Sequence, residues 1–347
     1  MTNQEVLPHQ FKFSGKKIEC FFDADFSLLE EKIQKDSTVF ITDENIFSAH
    51  GEKFSGWQTI VIKAGEEFKN QKTVDNIIDQ LIVLNADRQT FIVGIGGGVI
   101  TDIAGFVASI YMRGVKFAFV PTSILAMVDA CIGGKNGVDV GVYKNLVGVI
   151  NHPEFLLYDY SFLETLPDQE WVNGFAEIIK HACIKDRLMF DFLEKNSLMK
   201  FQSSLSEIGA LIRKNVDIKY AVVASDENET GERKLLNFGH TIGHAIENTS
   251  HLPHGFAVSI GMVAACAISE QINNFSKEET KRVTELLTKY ELPISFNPDK
   301  EKTWEILQHD KKKSGSNMSF VVLDEIGKAS IKSIPLDQLN NIFNTIY

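Results

Sequence analysis

Cysteine is scarce. Cys20, Cys131, Cys183 and Cys266 stand far apart with no CxxC pair among them, so neither a disulfide framework nor a cysteine-rich zinc site is indicated, and reduced core thiols in a cytosolic compartment are expected. Positive charge is also in deficit: 35 Lys and Arg against 46 Asp and Glu leave a formal charge of −11. That balance argues against nucleic acid or an anionic membrane surface as the main partner, and any basic site must be local. Long uncharged runs are missing too. Counting histidine as charged, the longest runs from Gly255 to Ser269, short of the ~20 residues a spanning helix needs, so no membrane partner is expected. The opening MTNQEVLPHQ has neither the basic n-region nor the apolar h-region of a secretory leader, and a cytoplasmic location is the expectation. What remains is ordinary globular composition, 44% hydrophobic and 23% charged over 347 residues, enough for two domains at roughly 100–200 residues each.

Up to about residue 160, short β-branched or aromatic runs alternate with helical periods, the pattern of a mostly parallel sheet flanked by helices. The expected strands are TVFIT (38–42), TIVIKA (59–64), TFIVGIG (90–96), KFAFVP (116–121) and FLLYD (155–159). Val74, Ile77, Ile78, Leu81 and Ile82 recur at three- and four-residue steps, so one face of a helix is expected to pack on that sheet. Beyond residue 160 the apolar residues of 168–195, 203–224, 237–249, 255–272 and 277–290 fall at helical spacing. MSFVVLD (318–324) and KASIKSI (328–334) read as a small hairpin. The expected fold is thus an α/β Rossmann-like domain over 1–160, then a mainly helical domain over 161–347 with a small β-hairpin. A ligand cleft is expected between the two.

Four segments carry chemistry. FIVGIGGGVITDIAGFVASIY sets Gly96, Gly97 and Gly98 between a strand and a helix, where a backbone without Cβ atoms and a helix N-terminus suit a nucleotide phosphate. A plain tight turn is the alternative, and Val99 breaks the GxGxxG dinucleotide fingerprint. In ITDENI, Asp43 and Asn45 stand at the carboxyl edge of a strand, placed either for a nucleoside or as a helix N-cap, the cap being favoured for the pair alone. In GFAEIIKHACIKD, Glu177, Lys180 and His181 share a helix face amid apolar neighbours, so that a buried Glu177 would need a cation. In LNFGHTIGHAIE, His240 and His244 lie at i and i+4, with Gly239 and Gly243 giving room for something to approach. Such a pair can ligate one metal ion or be two ordinary histidines. Glu177 plus two of His240, His244 and His254 would make a three-ligand site with open positions, the catalytic rather than structural pattern. His251 is the decoy. Arg113, Lys135, Lys144, Lys219, Arg233 and Lys311–Lys313 add the basic groups that a small polyanion would require, although each alone also reads as a surface charge.

Taken in order, AGEEFK, GGGVITDIAGFVASIYMRG, VPTSILAMVDACIGGKNGVDVGVYKN, FLETLP, NGFAEIIKHA, DENETGERKLLNFGHTIGHAIE, HGFAVSIGM and HDKK span nearly the whole chain and resemble the 3-dehydroquinate synthase family of sugar-phosphate cyclases, relatives of the NAD- and metal-dependent polyol dehydrogenases. The resemblance implies NAD held by Asp43, Asn45, Glu66, Lys69, Gly97, Gly98, Asp102, Thr122, Ser123, Asp129, Lys144, Phe162 and Thr165. It implies one divalent ion, zinc or cobalt, on Glu177, His240 and His254, with His244 and Glu229 in proton transfer. Lys135, Asn145, Lys180, Lys219, Arg233, Asn237, His244 and Lys312 would hold a phosphorylated sugar acid, joined by Arg113 from the partner of a homodimer. Asn136, Asp139, Tyr143 and Ser123 depart from the usual residues at this edge. The implied activity converts 3-deoxy-D-arabino-heptulosonate 7-phosphate to 3-dehydroquinate and phosphate, through transient oxidation by NAD, phosphate elimination, re-reduction and aldol closure. Another cyclase of this superfamily is the first alternative, against which Arg233 and Asn237 speak; an NAD- and metal-dependent polyol dehydrogenase is the second.

Overall fold

Valine, isoleucine, phenylalanine and threonine dominate the five runs expected as strands, and such side chains suit a sheet buried on both faces. All five are strands of one sheet in the computed structural model, which describes residues 7–13, 15–141, 143–250, 252–297, 299–309, 313–314 and 317–346. In chain order the strands are β1 (His9–Lys12), β2 (Lys17–Phe22), β3 (Thr38–Asp43), β4 (Gln58–Ile62), β5 (Phe91–Gly96), β6 (Lys116–Pro121), β7 (Lys135–Val140), β8 (Tyr143–Ile150) and β9 (Phe155–Tyr158). The sheet runs β1-β2-β9-β6-β5-β3-β4, parallel except for the antiparallel β1–β2 edge. β1 and β2 were not expected, because the lysines of FKFSGKKIEC break the apolar run. The β7–β8 hairpin lies in the glycine-rich stretch read only as a motif.

The crossover helix α1 (Gln71–Val83) buries Val74, Ile77 and Leu81, and Ile78 is half-buried. Ile82, expected on the same face, is 60% exposed. Helix α2 (Gly98–Ile110) is apolar over most of its surface and packs on β5, β6 and β7.

The chain forms two compact units, Met1–Pro167 with Leu205–Tyr220, and Asp168–Ser204 with Ala221–Tyr347. A division of 1–160 from 161–347 misses that Leu205–Tyr220 belongs with the first unit. Within it, Tyr220 Oη accepts the Lys12 amide at 3.0 Å, Lys219 pairs with Asp129 at 2.8 Å, and Gly209 lies against the Tyr160 ring.

The second unit is helical, as expected: α3 (Asp168–Lys185), α4 (Leu205–Ser225, shared with the first unit), α5 (His240–Ser250) and α6 (His254–Asn273) are the elements that matter below. The expected helix over 168–195 is two, because Asp186 turns extended and caps a new helix, Arg187–Glu194, by accepting the Met189 amide. The C-terminal hairpin, β11 (Asn317–Glu325) with β12 (Lys328–Pro335), carries a short third strand, β10 (Lys313–Ser314). Among the described helices, α6 alone has the length and apolarity to cross a membrane, because it continues past Ser269 to Asn273. Of its most apolar 18-residue stretch 67% is buried within the protein, the mark of a core helix.

Candidate functional site

Glu177 is buried because α3 surrounds it with Phe175, Ala176, Ile178, Ile179 and Ala182. Its side chain is 0% exposed and that of Lys180, one turn on, 1%, and the two form an ion pair. A carboxylate so placed is stable only against positive charge. Asn173, one turn earlier, fastens α3 to α6: its Oδ1 accepts the Gly255 amide at 2.6 Å, and a Cβ on Gly255 would fall 2.0 Å from the Asn173 carbonyl oxygen. The clamp brings His254, the first residue of α6, opposite Glu177.

Helices α5 and α6 meet main chain to main chain. A Cβ on Gly261 would lie 1.9 Å from the Gly239 carbonyl oxygen, and one on Gly243 would lie 3.0 Å from that of Ala257. Gly239 also adopts φ +77°, a region that penalises any side chain. The room that Gly239 and Gly243 leave for something to approach is filled by α6. Its effect is to set His240 beside His254, their ring centroids 5.3 Å apart.

Both imidazoles present Nε2 to Glu177. His240 Nε2 and His254 Nε2 each stand 3.5 Å from Glu177 Oε1, and the three ligand atoms lie within 4.8 Å of one another. Two ligands each about 2.1 Å from one tetrahedral ion would be roughly 3.4 Å apart. The far nitrogens are engaged: His240 Nδ1 meets the Phe238 carbonyl at 3.1 Å, and His254 Nδ1 meets Glu247 Oε2 at 3.3 Å. An Nδ1–H donated outward leaves the Nε2 lone pair for a metal, so the donor set fits a divalent ion such as zinc. Burial, helped by Lys180, pushes His240 well below the ordinary histidine value. On His254 burial pulls the same way, but Glu177 and Glu247 outweigh it and hold the ring up to about 10. His244 is half-buried, its ring 5.2 Å from that of His240 and 6.0 Å from that of His254. It joins a different group, with Glu247 and His254.

The loop before α5 brings three more expected residues together. Glu229, at φ +57°, accepts from Asn237 Nδ2 at 2.7 Å, and buried Arg233 donates from Nη1 to the Glu227 carbonyl at 2.6 Å. Asp226 organises this loop by accepting the amides of Thr230, Gly231 and Arg233 at 2.9, 2.7 and 3.1 Å. Burial opposes its charge, but the amides of Gly231, Thr230 and Arg233 prevail and lower its carboxyl to about 2. Sequence reading missed Asp226, which sits in an acidic run with nothing to single it out. Glu247 was missed as well, although its position three residues after His244 and seven after His240 places it on their face.

The first unit gathers a separate polar cluster. Lys69 Nζ reaches Asp102 Oδ2 at 2.5 Å and Asn145 Oδ1 at 2.6 Å. Burial would lower Lys69, but Asp102 and Glu66 together raise it. Lys144 bridges Glu66 at 3.0 Å and Asp139 at 3.5 Å, and Asp139 Oδ1 accepts the Asn145 amide at 2.7 Å. Asp139, a departure from the family pattern, thus ties these residues together. Asn136, another, is buried and donates to the carbonyls of Gly134 and Asn151. Gly97 begins α2 with no side-chain cap, and a Cβ there would meet nothing nearer than Ser123 Oγ at 3.5 Å; one on Gly98 would meet Ala130 at 3.3 Å. That helix end keeps its amides for an anion. Buried Thr122 donates its amide to the Gly96 carbonyl, and Ser123 Oγ accepts that of Ala126. Asp43 is a helix N-cap, accepting from Asn45 and Ile46 at 2.9 and 3.0 Å. The Phe162 ring lies in the core beside Phe26 and His50, so only its main chain could meet a ligand, while Thr165 Oγ1 stands 2.6 Å from His50 Nε2. Lys219 holds Asp129, and Lys135 is exposed at the start of β7. Arg113 is exposed at φ +68° after α2. Lys312 and His251 lie outside the described residues.

Two family models match end to end, 3-dehydroquinate synthase N-terminal over residues 59–173 and 3-dehydroquinate synthase C-terminal over 174–313. The chain is 39% identical over 313 residues to the 3-dehydroquinate synthase of Streptococcus thermophilus, covering 87% of this chain and 88% of that one. Among solved structures it is similar to 2-deoxy-scyllo-inosose synthase complexed with carbaglucose-6-phosphate, NAD+ and Co2+, with TM-score 0.85, 26% identity, and 98% and 100% of the two chains covered. It is also similar to a 2-epi-5-epi-valiolone synthase from Streptomyces hygroscopicus with NAD+ and Zn2+ bound, with TM-score 0.82, 26% identity and 89% and 91% covered.

Proposed function

The chain belongs to the 3-dehydroquinate synthase family, and from that membership we propose how its residues divide the work of converting 3-deoxy-D-arabino-heptulosonate 7-phosphate to 3-dehydroquinate and phosphate with NAD and one divalent ion. The observation that carries the reading is the convergence of Glu177, His240 and His254, distant in sequence, with both Nε2 atoms 3.5 Å from one carboxylate oxygen. These three hold the ion, which when bound acidifies the substrate hydroxyls it touches.

The chain's own groups orient the substrate and move its protons. Arg233 offers a planar fork suited to the carboxylate, with Asn237 beside it. Lys180 offers a buried ammonium to the carbohydrate hydroxyls, and Lys219, Lys135, Asn145 and Lys312 are the further groups assigned to the substrate. His244 carries a proton near the phosphate, and Glu229, aligned by Asn237, serves as its counterpart. In the first unit Asp43, Asn45, Glu66, Lys69, Asp102, Thr122, Ser123, Asp129, Lys144, Phe162 and Thr165 would hold NAD, Gly97 and Gly98 offering main-chain amides to its pyrophosphate. We place the enzyme in the cytoplasm as a homodimer. Support for the dimer is the edge strand β8, whose Tyr143, Leu146, Val147 and Ile150 are 42–59% exposed, an apolar open edge of the kind proteins normally cover.

Phosphate release from the heptulosonate substrate tests the function. It should require NAD and metal, stop with a chelator and leave no lasting NADH. Accumulation of NADH on glycerol-like substrates without phosphate release would instead identify a polyol dehydrogenase.

A further inference from the structure

His254 has two ring nitrogens and two carboxylates to serve. Nε2 lies 3.5 Å from Glu177 Oε1, and Nδ1 lies 3.3 Å from Glu247 Oε2. A neutral imidazole carries one proton, so only one nitrogen can offer a lone pair to an ion. Two arrangements are open: the ion sits with Glu177 and His240, or it sits with Glu247 and His244, whose ligand atoms also converge with those of His254 within 4.8 Å. Geometry separates them. Glu177 is 0% exposed and His240 has its Nδ1 occupied by the Phe238 carbonyl, so that its Nε2 is the nitrogen left to face an ion. The other trio is only half-buried, and choosing it would leave the His254 proton on Nε2, pointing at Glu177.

We infer that Glu247 is a positioning residue: by accepting the His254 Nδ1–H it fixes the tautomer and ring orientation that present Nε2 to the ion held with Glu177 and His240. Its place follows from helix geometry. Glu247 follows His240 by seven residues on α5, on the same face, while His254 opens α6, and the main-chain contact of the two helices at Gly243 and Gly261 brings the carboxylate to the ring. A carboxylate behind a histidine ligand raises its basicity and removes its rotational freedom, and loss of such a partner weakens metal binding roughly 10–100-fold.

The inference rests on the metal assignment above, and one experiment tells their failures apart. Cobalt(II) is titrated into metal-free wild type, E247A, E247Q, E177Q and H244A, following both the affinity and the visible absorption of the bound ion. E247A should bind one cobalt per chain roughly 10–100-fold more weakly with altered bands. E247Q, which keeps an acceptor oxygen, should recover most of the affinity and the wild-type spectrum. E177Q should lose the spectrum and H244A should keep it. Unchanged affinity and bands in E247A, with E177Q impaired, would overturn the positioning role alone. Unchanged binding in E177Q, or loss of the spectrum in H244A, would overturn the metal assignment. Far-ultraviolet circular dichroism of each apo variant identifies any that fails to fold; should E247A do so, E247M, which keeps the length of the side chain without an acceptor oxygen, carries the test with the same expected loss.

Discussion

The two polar clusters of this protein are built in opposite ways. In the second unit the charged groups ride on helices, with Glu177 and His240 buried and His254 partly so, and have their far atoms already engaged: Glu177 with Lys180, His240 with a carbonyl, His254 with Glu247. In the first unit Glu66, Lys69, Asp139, Lys144 and Asn145 stand on turns and a hairpin, Glu66 and Asn145 exposed, and are held by ion pairs and hydrogen bonds among themselves and to Asp102 of α2. A metal site must be rigid to within a fraction of an ångström, which helices and buried packing supply. Groups on turns, held by ion pairs, can exchange partners more readily.

Four substitutions would break or sharpen that contrast. Glu177→Gln is expected to have the largest effect. It removes a ligand and strands the buried Lys180, so turnover should drop by at least about 100-fold and stability by roughly 3–5 kcal/mol, read by phosphate release and by denaturant melts. Gly261→Ala comes next. Its Cβ would strike the Gly239 carbonyl, forcing the histidine helices apart, at a cost of roughly 1–3 kcal/mol and weaker metal binding by titration. Lys69→Met should act on the other side of the contrast: NAD affinity measured by fluorescence falls about tenfold, one lost charge-assisted contact, while cobalt affinity stays as it was. Asp226→Asn is the smallest. The wild-type carboxyl is lowered to about 2 from an ordinary 3.8, so its stabilising effect is fully present above pH 4 and is lost as pH falls through about 2. The difference in Tm between wild type and variant should therefore be constant near neutrality and close as pH falls below 4.

Much of the helical site was legible because its spacing is local. The helical period around Glu177 marked a buried carboxylate, and the HxxxH pair with a third histidine marked a metal site, although the i, i+4 pair alone suggested His244 as readily as His254. The choice depends on which nitrogen faces Glu177, a fact of helix packing and not of spacing. Gly239 and Gly243 showed that something comes close, and only the packing shows that it is α6. Five strands could be read from runs such as TFIVGIG, whereas β1 and β2 were hidden by the lysines that interrupt their apolar residues. The ties among Lys69, Asp102, Asn145 and Asp139 were beyond reach, since turns bring together residues whose separation in the chain follows no period.

The glycine contact between α5 and α6 has a further consequence for redesign. Because carbonyl oxygens and α-carbons, not interlocking side chains, set the gap between His240 and His254, repacking Met262 or Val258 with other aliphatics should leave the bite of the chelate intact. Anyone wishing to retune the pocket toward a cation of larger radius would need to begin at the glycines themselves, where one added methyl acts as a spacer.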